Sequence, residues 1–150
     1  MKNQILTVRP YNAATDLPTL LDIWFEASLR AHPFLGEHRL REERILMETE
    51  YLPKSENWVA CDQGEPIGFI GLLDTFVGGL FIAPAHQGKG AGRLLTAHAL
   101  ELKGRLELEV YTDNQQAYAF YEKLGFREVS RRRTDDHGLP FENARMRLTG

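Results

Sequence analysis

Cysteine is all but missing: the 150 residues contain one, Cys61. A disulfide within the chain is excluded, and a lone thiol in the apolar run Trp58-Val59-Ala60-Cys61 reads as a small buried core residue rather than a nucleophile. Long apolar runs are missing too. None approaches the roughly 20 residues that a membrane-crossing helix needs, and the N-terminus has no signal-peptide pattern, so the expectation is a cytoplasmic protein without a membrane partner. Positive charge is not in excess. Eighteen Lys and Arg against 21 Asp and Glu leave a net charge of -3 and no basic face, which argues against nucleic acid held by non-specific charge. The five histidines are scattered, and none stands at ligand spacing from a second histidine or cysteine, so no metal is expected. With 43% hydrophobic residues and no repeat, low-complexity tract or linker, residues 1–150 read as a single domain with a sizeable core.

What the chain does have is a concentrated glycine run, Gln87-Gly88-Lys89-Gly90-Ala91-Gly92, between apolar Leu80-Phe81-Ile82 and the helical pattern that opens at Arg93-Leu94-Leu95. Strand, glycine turn and helix in that order place unpaired N–H groups and a partial positive charge at one point. The natural guest is a phosphate or pyrophosphate. A merely tight turn is the plainer alternative, but it needs one glycine rather than three.

The rest of the chain reads as alternating strands and helices. Ile5 to Arg9 alternates as a short strand stopped by Pro10, after which Asp16 can cap a helix striped by Leu17, Leu20, Leu21, Trp24, Ala27 and Ser28, with Pro18 in its first turn and Pro33 beyond its end. Residues 37–51 carry dense charge over a weaker helical stripe. Trp58 to Asp62 and Pro66 to Leu73 read as a hairpin around Gln63-Gly64-Glu65, and Phe76 to Ile82 as a strand whose Gly78-Gly79 suggests a bulge. The helix after the glycine run ends at Gly104. Arg105 to Tyr111 alternates strictly, with Leu106, Leu108 and Val110 on one face and Glu107, Glu109 and Tyr111 on the other. Asn114 caps a further helix closed by Gly125, and residues 126–148 form a final hairpin. The fold class is α/β: a mixed seven-stranded sheet with about four helices in three α/β/α layers, the strands flanking the glycine run being parallel.

Two nucleotide motifs fail. A dinucleotide fingerprint requires a third glycine where this chain has Arg93, and a P-loop requires a glycine where it has Ala83 and a hydroxyl residue after Lys89. A pyrophosphate held by backbone amides remains, as in coenzyme A. Gln87, Gly90 and Gly92 match the phosphate signature of the GNAT superfamily of acyl-coenzyme-A-dependent N-acyltransferases, (Gln or Arg)-x-x-Gly-x-(Gly or Ala). Asn114, Ala117, Phe120-Tyr121 and Gly125-Phe126 match its second signature, one helix and one strand further on. The chain resembles that superfamily over essentially its whole length. Within it the wording, His32-Pro33-Phe34-Leu35 included, is similar to the small bacterial YjaB-type acetyltransferases.

The resemblance implies a GNAT-like domain that uses acetyl-CoA as acyl donor. It implies that amides of Leu80, Phe81 and Ile82 hold the pantetheine arm and thioester carbonyl, while those of Gly88, Lys89, Gly90, Gly92 and Arg93 take the pyrophosphate beside Gln87, with Asn114 and Phe120 completing the donor site. Tyr121 falls where the family places the tyrosine that protonates the departing thiolate; by pattern alone it is equally a core aromatic. A base for the amine has two candidates. Glu109 stands where amino-acetylating relatives often carry a glutamate, although alternating acids are also an ordinary solvated face. His32 ends the first helix beside the family's substrate wall, although a histidine before proline also simply terminates helices. His86 shapes the loop, and His137 sits at the tip of the final hairpin, bordering the acceptor. Direct transfer in a ternary complex follows, because neither Cys61 nor any serine has a nucleophile's context. The acceptor partner is a small-molecule or peptide amine. A catalytically degenerate coenzyme A sensor is the reading from another class, and the final hairpin is available to pair in a homodimer.

Overall fold

Alternating apolar residues and well-placed turn residues account for most of the strands. The computed structural model describes residues 5–31 and 36–150. In chain order it contains β1 (Leu6–Pro10), α1 (Ala13–Ala31), α2 (Glu37–Leu46), a π-helical turn (Met47–Tyr51), α3 (Leu52–Lys54), β2 (Glu56–Asp62), β3 (Glu65–Leu73), β4 (Phe76–Ile82), a 3-10 turn (Pro84–His86), α4 (Ala91–Lys103), β5 (Arg105–Tyr111), α5 (Gln115–Lys123), β6 (Arg127–Arg132) and β7 (Asn143–Thr149). The strands form one seven-stranded sheet in the order β1-β2-β3-β4-β5-β7-β6. Every neighbouring pair is antiparallel except β4 and β5, which run parallel as expected of strands joined through a helix.

Helices cover the sheet on both faces. On one, Leu20 and Trp24 of α1 and Leu40 of α2 pack with Val59 and Phe69, all at most 4% exposed. On the other, Leu95 and Ala99 of α4 meet Ile70, Leu106, Leu108 and Met146, with Tyr121 and Leu124 of α5 against the same cluster. Burial of each such large side chain stabilises the fold by about 1.5–3 kcal/mol. β3 lies between both layers, which explains its almost unbroken apolar run: Ile67 to Leu72 are all buried.

Local chemistry corrects the start of α1. The helix begins at Ala13, not after Asp16, because Asn12 is the residue that caps it, its Oδ1 accepting from the Ala14 amide at 3.1 Å. Asp16 instead reaches back to accept from the Asn12 amide at 2.8 Å and binds Arg9 through both oxygens, at 2.7 and 2.8 Å. Pro18 therefore lies inside the helix rather than in its first turn. The β2–β3 hairpin turns as expected at Gln63-Gly64, both with positive φ (53° and 82°).

The decisive irregularity is in β4. Gly71 pairs with Gly79 but Leu72 pairs with Val77, so Gly78 is bulged out of the ladder, as its paired glycines suggest. Across the other edge, β4 meets β5 in register only at Phe76↔Glu107. Beyond that point the two strands diverge, and the sheet opens into a cleft.

Candidate active site

The divergence of β4 from β5 creates a cleft of about 760 Å³. β4 supplies one wall through Val77 to Ile82, β5 the other through Leu108 to Tyr111, and the N-terminus of α4 closes the end with Gly88, Gly90, Ala91, Gly92 and Arg93. Asn114, Phe120 and Tyr121 come in from α5, and Ala27, Ser28 and Arg30 from α1. Of the residues singled out from sequence, Leu80, Phe81, Ile82, Gln87, Gly88, Gly90, Gly92, Arg93, Glu109, Asn114, Phe120 and Tyr121 all line this one space. His32 lies outside the described residues.

The glycine run works through its backbone. Gly88 and Gly90 take φ values of 83° and 91°, which side-chain-bearing residues rarely adopt, and nothing lies within 4 Å of where their Cβ atoms would be. Gly90 is the N-cap of α4 and offers no side chain to the first turn. The leading N–H groups of the helix therefore face the cleft with the positive end of its dipole, a seat for an anion. Gln87 secures the run by donating from Nε2 to the Ile82 carbonyl at 3.3 Å. Gly92 is needed for a different reason: a Cβ there would sit 2.7 Å from Phe120 Cζ, so α5 leans its ring directly onto the loop. Lys89 turns away. Its Nζ bonds His86 Nδ1 at 2.9 Å and lies 3.6 Å from Asp62 Oδ2, so this lysine ties the loop to the end of β2, and His86 shapes the loop as expected.

Asn114 caps α5, its Oδ1 accepting from the Ala117 amide at 3.1 Å, and so fixes the helix that carries Phe120 and Tyr121. The Tyr121 ring is held edge-on by Phe120 (centroids 5.5 Å apart) and Phe126 (5.7 Å). Burial pushes its phenol up to about 12, so it enters the cleft as a proton donor at any physiological pH.

Glu109 lines the cleft from β5, in an arginine setting that the sequence alone did not reveal. Arg132 Nη2 donates to its Oε2 at 2.6 Å and Arg145 Nη1 to its Oε1 at 3.3 Å. Two residues back on the same face, Glu107 accepts from Arg145 and from Arg147 Nε at 3.0 Å, and these guanidiniums hold its carboxyl below the usual range. The pairing register explains the ladder: Glu107 stands opposite Arg147 and Glu109 opposite Arg145 on the same face. Arg131 and Arg132 are engaged by carboxylates of the chain itself: Arg131 by Glu128 and Glu142, Arg132 by Glu109 and Asp136. His137 gives a backbone amide to Asp135 in the hairpin turn, at 2.9 Å. Among the described residues no group of three or more His, Cys, Asp or Glu side chains is placed to hold a metal ion, and no helix is long and apolar enough to cross a membrane.

A sheet split beside a bare helix N-terminus, with a phenol and a carboxylate lining the same cleft, fits an acyltransferase of the α/β class. The chain belongs to the acetyltransferase (GNAT) family, whose model matches residues 18–126, and it is an N-acetyltransferase. It is 38% identical over 123 residues to the peptidyl-lysine N-acetyltransferase YjaB of Salmonella typhimurium, covering 81% of this chain and 84% of that protein. It is 32% identical over 127 residues to the peptidyl-lysine N-acetyltransferase YiaC of Escherichia coli, covering 84% and 87%. The solution structure of apo-form YjaB from Escherichia coli superimposes with a TM-score of 0.85 at 31% identity, over 97% of this chain and 99% of that one.

Proposed function

We propose that the chain moves an acetyl group from acetyl-coenzyme A to a primary amine, with the lysine side chain of a peptide as its acceptor class, by direct transfer while both substrates are bound. The observation that carries this reading is the meeting, in one cleft, of an anion-seating helix N-terminus, a protonated tyrosine and a carboxylate. The acceptor class is supported by the peptidyl-lysine activity named for the relatives YjaB and YiaC.

In this proposal the first turn of α4 and the glycine run bind the pyrophosphate, and β4 beyond the Gly78 bulge, paired with β3 on one side but past its pairing with β5 on the other, offers that second edge to the pantetheine arm and the thioester carbonyl. Glu109 accepts a proton from the amine, directly or through one water. The nitrogen forms its bond to the acetyl carbon as the carbon–sulfur bond breaks, and Tyr121 gives its phenolic proton to the sulfur. A phenol's ordinary pKa of about 10 is not far from that of a thiol, about 8.5, and burial keeps the proton on the phenol until the thiolate departs.

The test is release of free thiol from acetyl-coenzyme A with three acceptors: an N-terminally blocked lysine peptide, a lysine-free peptide with a free N-terminus, and a small diamine. Release with the blocked peptide, and intersecting initial-rate lines when both substrates are varied, is the expected result. Tight coenzyme binding with no thiol released on any amine would instead make the chain a coenzyme sensor, and parallel lines would overturn direct transfer.

A further inference from the structure

Glu109 lines two spaces at once: the large cleft, and a depression of about 240 Å³ between β6 and β7 formed with Ser130, Arg132, Asn143 and Arg145. The two arginines that hold it are not equivalent. Arg145 is fixed by two further donations to Glu107 and by the Phe76 ring, whose centroid lies 5.5 Å from its Cζ. Among the described residues, Arg132 has one other carboxylate partner, Asp136 in the exposed hairpin turn, whose Oδ1 accepts from the same Nη2 at 2.9 Å. It reaches Glu109 only because β6 is bulged. Glu128 pairs with Met146 and Ser130 with Arg145, leaving Val129 out of register, so Arg132 stands opposite Asn143 on the Glu109 face. Without that extra residue Arg132 would point to the α5 side of the sheet.

We infer that Arg132 is an internal stand-in for the acceptor's ammonium, shared between Glu109 and Asp136 in the free protein and left to Asp136 alone when a cationic amine enters. The inference rests on the proposed role of Glu109 toward the amine. A lysine side chain, with an ordinary pKa near 10.4, arrives at neutral pH as a cation on a long aliphatic stem, as Arg132 is. Both seek the same carboxylate oxygen. An exposed ion pair of this kind exchanges at small cost, and Asp136 ensures that the displaced guanidinium keeps a carboxylate partner. Arg145 meanwhile stays on the second oxygen and holds Glu109 in orientation. Such an exchange favours acceptors that carry their own positive charge to Glu109 over neutral or anionic amines.

The experiment compares wild type, Arg132→Gln, Asp136→Asn and Glu109→Gln in binding of a blocked lysine peptide to the coenzyme A complex by calorimetry, together with acceptor KM and kcat. Removing the competitor should tighten peptide binding and lower acceptor KM about fivefold, with coenzyme affinity unchanged. Asp136→Asn, which takes away the alternative partner, should weaken peptide binding by a similar factor. Weaker or unchanged binding in Arg132→Gln, or a fall in kcat alone, overturns the exchange and leaves Arg132 a positioning residue. Glu109→Gln separates the two failures. If it lowers turnover while Arg132→Gln fails to tighten binding, only the exchange falls; if it changes neither turnover nor peptide affinity, the role of Glu109 falls and the exchange with it.

Discussion

Tyr121, proposed to protonate the leaving thiolate, shows how surroundings set the chemistry of one side chain. Its spacing on α5 places it equally well in the core, and its ring does pack on Phe126. The residue also lines the cleft, and burial raises the phenol to about 12 and keeps the proton in place. Tyr121→Phe preserves the ring contacts. It should leave folding and coenzyme affinity intact and lower kcat by about tenfold or more, measured as thiol release. Because the phenol stays protonated below about pH 12, a fall in wild-type activity between pH 8 and 10 must come from another group, and the Phe variant should show the same fall. A variant with unchanged kcat removes Tyr121 from the mechanism.

At the scale of the element, the donor end of the site is one strand-loop-helix unit, and each part of it has a separate physical reason. The bulge at Gly78 frees the β4 edge, the positive φ of Gly88 and Gly90 turns the chain, and the bare first turn of α4 faces the cleft. Gly92 joins the unit to α5 by contact with Phe120. Gly92→Ala puts a methyl group 2.7 Å from Phe120 Cζ, and the half-exposed ring must move off the loop to receive it. Coenzyme affinity should fall about tenfold by calorimetry, while the loss of stability stays near 1 kcal/mol because the ring has open space to move into. Unchanged affinity would mean that Phe120 does not shape the donor seat. This unit was readable in the sequence because it is contiguous: strand, glycines and helix follow one another, and the exclusion of dinucleotide and P-loop motifs depends only on spacing. The α1 start was misread for an equally local reason. Asn12 and Asp16 are both good caps, and Arg9, which draws Asp16 away, lies on β1.

Over the whole molecule, carboxylates paired with cations join separate elements, Asp16 with Arg9, Glu56 with Lys103 and Glu107 with Arg145 and Arg147, and brace β6 locally through Glu128 with Arg131. Hydrogen bonds from these partners hold each acid below its ordinary value. A carboxyl whose folded pKa is depressed contributes stability that is present above its unfolded pKa, about 4, and is lost as pH falls through the folded value. The melting temperature should therefore be level near neutrality and drop steeply below about pH 4. Asp16→Asn, which breaks a buried charge-assisted pair, should lower it by about 5 °C at pH 7 and flatten the acid drop. A variant that melts as steeply in acid as the wild type would assign the drop to other groups.

The sequence by itself determined the seven strands, the principal helices, the glycine loop and the residues that line the cleft beside it, because periodicity, turn chemistry and motif spacing act between near neighbours. Tertiary structure alone decided the setting of Glu109. β7 inserts between β5 and β6, and a one-residue bulge at Val129 carries Arg132 across to the face of Glu109. Neither strand order nor register is encoded in spacing along the chain. They follow from which apolar faces can be buried together, and that is settled only when the sheet packs against its helices.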